Sequence, residues 1–169
     1  MSNRLGFVRC LPAATIVMSV FASSIVVAQT PEKITSQTHP FAKRLEGVYL
    51  KYLDAARNGD VKATLALMTS EYAKMADKIT ADLLKAMSRD NLDPRDSEFV
   101  GVDVTSNKTN ARVLYQKLGA ITKDWTAVVF RNEGGEWKIA KLLRRSVSAT
   151  ETKDGLQELI QESDAFMTR

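Results

Sequence analysis

Residues 41–68, FAKRLEGVYLKYLDAARNGDVKATLALM, decide the fold. Phe41, Leu45, Val48, Tyr49, Tyr52, Leu53 and Ala56 recur at i, i+4, i+7, i+8, i+11, i+12 and i+15. At about 3.6 residues per turn that spacing places them on one face of a long amphipathic helix. Gly59 suits the end of that helix, because glycine enters the left-handed region without a Cβ clash. Asp60 then stands where a side-chain oxygen can accept the free backbone N–H groups of a second helix. The apolar residues of that helix are Val61, Leu65, Leu67 and Met68.

Working outward, Ser70 reads as the cap of a short third helix carrying Tyr72, Ala73 and Met75. Thr80 reads as the cap of another, with Leu83, Leu84 and Met87. Residues 90–98, DNLDPRDSE, form a loop in which proline ends the helical run. Their carboxylates lack the spacing and central glycine of a calcium loop, so the loop is read as acidic and solvated. From Phe99 the apolar period drops to two. Val100, Val102 and Val104 face away from Phe99, Gly101 and Asp103, and ARVLYQKL (111–118) alternates in the same way. WTAVVFR and EWKIAKLLRR, either side of Asn132-Glu133-Gly134-Gly135, make a hairpin. Residues 152–167 read as a last amphipathic helix with Leu156, Leu159, Ile160, Phe166 and Met167 on one side, expected to lie on the chain's own sheet. Helices followed by an antiparallel meander predict an α+β fold. The N-terminal helices should pack in the concave face of a curved antiparallel sheet of four or slightly more strands, with a C-terminal helix added.

The chain has 169 residues, of which 44% are apolar and 26% charged, as in ordinary globular proteins. Its start differs. Arg4 and Arg9 precede an uncharged apolar run, 11–28, ending Val26-Val27-Ala28, which is the pattern of a signal peptide cleaved after Ala28. A retained anchor is disfavoured, since the 17 residues from Pro12 to Ala28 fall short of the roughly 20 needed to span a bilayer. The expected organisation is a leader (1–28), a polar linker (29–40), one α+β domain (41–150) and a C-terminal helix (151–169). Loss of Arg4 and Arg9 leaves 22 basic against 20 acidic residues, too even to imply a nucleic-acid partner. Cys10 leaves with the leader, which removes disulfide and thiol chemistry. The single histidine, His39, falls in the linker and is read as solvated. No nucleophile elbow, phosphate loop or metal-ligand cluster occurs, and no cofactor is expected. Trp125 and Trp137, on neighbouring hairpin strands, are expected to form a cross-strand aromatic pair. Lys138, Lys141, Arg144 and Arg145 are expected to form a solvated strand edge that blocks aggregation.

KYLDAARNGDVKATLALMTSEY (51–72) and TAVVFRNEGGEWKIAKL (126–142) resemble the opening helices and closing hairpin of the nuclear-transport-factor-2-like superfamily, the cystatin-like α+β cones. The resemblance covers roughly residues 41–143. It implies a pocket between the first helix and the sheet, lined by Tyr49, Tyr52, Tyr72, Trp125 and Trp137. In the family's ketosteroid-isomerase-like members a tyrosine eight residues before the turn aspartate donates to a forming oxyanion, and Tyr52 holds that position. The base would fall at Ala76, with Asp77 one residue away. Asp103 is the nearest strand carboxylate, although in the first strand rather than the matching one. The superfamily's histidine-dependent dehydratase chemistry finds no histidine in the folded region. The preferred reading is therefore an exported, non-catalytic binding or accessory protein of the cell envelope, holding a small apolar ligand or a partner protein. Two alternatives stand beside it. One is a small isomerase, cyclase or dehydratase using Tyr52 with Asp77 or Asp103. The other is a membrane-tethered secretion-assembly subunit, which requires the leader to be retained. By analogy with family members, a homodimer through the open sheet face is expected.

Overall fold

The computed structural model describes residues 32–75, 78–151 and 154–168. Five strands, β1 (Glu32–Ile34), β2 (Glu98–Val104), β3 (Asn110–Leu118), β4 (Thr122–Glu133) and β5 (Glu136–Ser148), form one antiparallel sheet in chain order. The helices are α1 (Pro40–Asn58), α2 (Val61–Ala66), α3 (Ser70–Met75), α4 (Ala81–Arg89) and α5 (Gly155–Met167). The fold is α+β, as the change of period implies. The leader expected at 1–28 lies outside the described residues, and so does Asp77. No helix among the described residues is long and apolar enough to cross a membrane.

Local chemistry explains the helix boundaries. Gly59 ends α1 at φ 73° and donates its N–H to the Ala56 carbonyl at 3.0 Å. The Asp60 carboxylate accepts the Ala63 N–H at 2.9 Å, and Thr80 Oγ1 accepts that of Leu83 at 3.3 Å. The cap of α3 is Thr69 rather than Ser70. Thr69 Oγ1 accepts the Tyr72 N–H at 3.3 Å, while Ser70 turns to the Glu133 carboxylate. Thr69 stands there because residues 67–69 pair with the outer edge of β5, Thr69 N–H to the Ile139 carbonyl at 2.9 Å and Ile139 N–H to the Leu67 carbonyl at 2.8 Å. That pairing closes part of an edge strand.

The strand period of two sorts side chains onto two faces. Val102, Val113, Tyr115, Val128, Phe130 and Ile139 meet Ala42, Leu45, Tyr49, Tyr52 and Leu53 of α1 in the main core. Leu114, Trp125, Ala127 and Val147 point the other way and are closed by Leu159 of α5. The C-terminal helix thus packs on its own sheet, on the face opposite α1. Register shifts at Phe99/Gly101 and Val129/Phe130 bend the strands that carry them.

Three expectations are corrected. The polar segment before Pro40 is not all linker. Glu32–Ile34 pairs with Val102–Val104, so edge hydrogen bonding orders a stretch whose composition shows a single apolar residue. Beyond it, His39 Nδ1 accepts the Phe41 N–H at 3.2 Å and caps α1. The loop at 90–98 is not simply solvated. Asp93 is buried (8% exposed) and accepts hydrogen bonds from Arg95 N–H and Nε, both at 2.9 Å, and from Arg57. The basic end of β5 is likewise engaged. Arg144 donates to the Asp90 carbonyl at 2.7 Å, Arg145 lies 3.5 Å from Glu162, and Lys141 Nζ sits 5.4 Å from the Phe166 ring centre.

Candidate functional site

Tyr49, Tyr52 and Tyr115 form a stacked ladder between α1 and the sheet, with ring centres 6.3 Å apart for Tyr49–Tyr52 and 5.8 Å for Tyr49–Tyr115. Helical spacing brings Tyr49 and Tyr52 to one face, and β3 presents Tyr115 to it. Tyr49 Oη donates to the Leu92 carbonyl at 2.9 Å. Tyr115 Oη and Thr126 Oγ1, side chains of cross-strand partners, are buried without a hydrogen-bond partner among the described residues. Burial pushes all four phenols above their ordinary range. For Tyr52 the second cause is the neighbouring Tyr72 phenol, and for Tyr115 the Glu46 carboxylate followed by Tyr49. At Tyr72 a backbone hydrogen bond with Leu142 opposes the rise. These groups stay protonated at neutral pH. They can donate and accept hydrogen bonds but cannot act as bases.

Of the carboxylates proposed as Tyr52's catalytic partner, Asp103 does not join it. Asp103 projects from the other face of the sheet, where Arg112 holds it through Nε at 3.1 Å and Nη2 at 2.5 Å. The same guanidinium reaches α5, donating from Nη1 to the Ile160 carbonyl, Ser163 Oγ and Asp164 Oδ1 at 2.6–2.9 Å. Asp103 thus anchors the sheet to α5 through Arg112, on the face opposite Tyr52. Asp77 lies outside the described residues. The five residues expected to line one pocket separate in the same way. Tyr49, Tyr52, Tyr72 and Trp137 belong to the α1 side, and Trp125 packs under α5. Nor are the two tryptophans a cross-strand pair. Register sets Trp125 opposite Arg145 and Trp137 opposite Asn132, and Trp137 meets Phe41 edge-on at 5.3 Å. Among the described residues no group of three or more His, Cys, Asp or Glu could hold a metal ion.

An open concavity lies elsewhere. A cleft of about 270 Å³ runs between α1, the end of α2 and the β4–β5 turn. Val48, Leu67 and Trp137 supply its apolar surface, Arg44, Lys51 and Lys138 its cations, and Glu136 its one carboxylate. Arg44 Nη2 donates to the Gly135 carbonyl at 3.2 Å, which ties the helix to the hairpin turn. Lys138 lies 4.0 Å from Glu136, whereas Lys51 has no carboxylate within 4.0 Å among the described residues. The pattern Arg44, Val48, Lys51 at i, i+4, i+7 is visible in the sequence as a cation–apolar–cation stripe. Its meaning is masked in the sequence because Val48 also belongs to the apolar face that packs against the core. A smaller hollow of about 100 Å³ lies beside Ile34, His39 and Phe41.

No protein-family model matches the chain, and comparison with curated proteins finds no match either.

Proposed function

We propose that this chain is an exported, non-catalytic binding module of the cell envelope that takes a small apolar molecule carrying an anionic group. The observation that carries the reading is the cleft in which Val48, Leu67 and Trp137 lie among Arg44, Lys51 and Lys138. An apolar tail gains by covering Val48, Leu67 and the exposed rim of the Trp137 indole, and an acidic head gains from cations that a cleft hydrates less well than open water does. Export rests on the leader-like segment 1–28, and membership of the nuclear-transport-factor-2-like superfamily on the α1–Gly59–Asp60–α2 arrangement with its closing hairpin.

The test compares octanoate with octanol, which share a tail and differ in charge. Octanoate is expected to give a saturable change in tryptophan emission that disappears in Trp137→Phe and survives Trp125→Phe. Lys51→Gln should weaken binding by about ten-fold, roughly the loss of one charge-assisted contact. Equal affinity for octanol and octanoate, or no saturable change with either, overturns the proposal.

A further inference from the structure

The turn joining β3 to β4 is built against the usual chemistry of turns, which favours polar residues on a hairpin's outer end. Its sequence is Leu118-Gly119-Ala120-Ile121. Ile121 is 80% and Leu118 61% exposed, the highest values among the large apolar side chains described. Nothing among the described residues covers them. The turn's backbone is nevertheless partly satisfied from within. Gly119 N–H donates to the Thr122 carbonyl at 2.8 Å, and the Ile121 carbonyl accepts the Ala149 N–H at 2.9 Å. Lys117 and Lys123 flank the apolar run, and neither has a carboxylate within 4.0 Å among the described residues. The acid closest in register, Asp124 opposite Lys117, accepts a hydrogen bond from Thr122 Oγ1 at 3.0 Å.

We propose that this turn docks the protein on a lipid bilayer, with Leu118, Ala120 and Ile121 entering the interface and Lys117 and Lys123 meeting anionic headgroups. A protein partner ordinarily covers about 800 Å² per side, far more than three side chains on a narrow turn present. A bilayer interface accepts a small apolar projection, provided its backbone polar groups are paired and its cations remain at headgroup level. The two flanking lysines meet the second condition, and the turn meets the first at the Gly119 N–H and the Ile121 carbonyl. β4 carries the docking turn at its first residue and the ligand cleft beyond its last, roughly 35 Å away at 3.3 Å per residue. Docking therefore leaves the cleft open to the aqueous side, and the inference stands independently of what the cleft binds.

The test uses the full chain and vesicles of phosphatidylcholine with or without phosphatidylglycerol. Because the segment at 11–28 can itself enter lipid, the readout is placed on the turn. An Ala120→Trp variant is expected to shift its emission to the blue on phosphatidylglycerol vesicles and to be quenched by brominated acyl chains. Leu118→Ser with Ile121→Ser should lower partitioning by about ten-fold or more relative to the unaltered chain, the leader contributing equally to both. Lys117→Gln with Lys123→Gln should weaken binding to the anionic vesicles alone, and added salt should do the same. Circular dichroism checks that each variant is folded. If the serine pair does not fold, the tryptophan and glutamine variants decide. Failure of bromolipid to quench the added indole while the chain is vesicle-bound overturns the proposal. So does unchanged partitioning of a folded serine variant. So does sedimentation showing that the serine pair abolishes self-association without altering vesicle binding, which would make a second copy the occupant.

Discussion

Arg112 on β3 and Asp164 on α5 lie 52 positions apart and meet at 2.7 Å, while the rest of the same guanidinium grips Asp103 on β2. One nearly buried cation thus joins two strands to the C-terminal helix. Removing it leaves the part-buried Asp103 without its cation and takes a donor from the buried Ser163 hydroxyl, which keeps its own bond to the Ile160 carbonyl. Arg112→Ala should cost about 3–5 kcal/mol, the usual range when one partner of a buried pair is deleted. Urea denaturation measures the loss, and hydrogen exchange should show Gly155–Met167 opening first. Replacing Arg112 and Asp103 together by apolar residues of similar size should recover much of the deficit.

Asp93 gives the fold an acid-sensitive contact. Burial alone would push its carboxyl up. Hydrogen bonds from the Arg95 side chain and N–H, with the Arg57 hydrogen bond and charge, prevail and hold it at about 2. A carboxyl depressed from 3.8 in the unfolded chain stabilises the fold above pH about 4 and loses that contribution as pH falls toward about 2. Both arginines are more than a third exposed, so the contribution at neutral pH is about 1–2 kcal/mol after screening. Asp93→Asn should lower stability at pH 7 by that amount and flatten the acid limb, as followed by urea midpoints across the range.

The two stacked phenols Tyr49 and Tyr115 should respond oppositely to loss of a hydroxyl. Tyr49→Phe deletes the bond to the Leu92 carbonyl and should cost about 1 kcal/mol. Tyr115→Phe removes a buried hydroxyl that has no partner among the described residues and should be neutral or stabilising by up to about 1 kcal/mol. Thermal melts of the two variants, side by side, check the sign.

Gly155 begins α5 where no side chain fits. A Cβ there would lie 2.6 Å from Trp125 Cζ3, on a rigid ring packed in the core. Gly155→Ala should lift the start of α5 and cost about 1–3 kcal/mol. The emission of Trp125 should move to the red as water reaches the indole.

The candidate site was only partly legible beforehand. Tyr49 and Tyr52 were readable as inward-facing from their helical spacing, and the basic end of β5 from its composition. The cleft was not readable, because it exists only where Arg44 of α1 meets Gly135 of the hairpin, 91 positions away. The role of Asp103 is hidden for the same reason, since its partner Arg112 stands on the next strand and is itself held by α5.

What the sequence determined by itself is what depends on residues a few positions apart: the α1–Gly59–Asp60–α2 unit, the Thr80 cap, the change of period at Phe99 and the glycine turn before Trp137. Tertiary structure alone decided which face each strand residue occupies relative to a helix and that α5 closes the side opposite α1. It also decided that Glu32–Ile34 becomes a strand and that Trp125 and Trp137 part company. The reason is physical. Helix and strand periods are set by backbone geometry and short-range capping, whereas pairing of charges, docking of edges and the formation of clefts depend on contacts whose partners only the packed chain brings within reach.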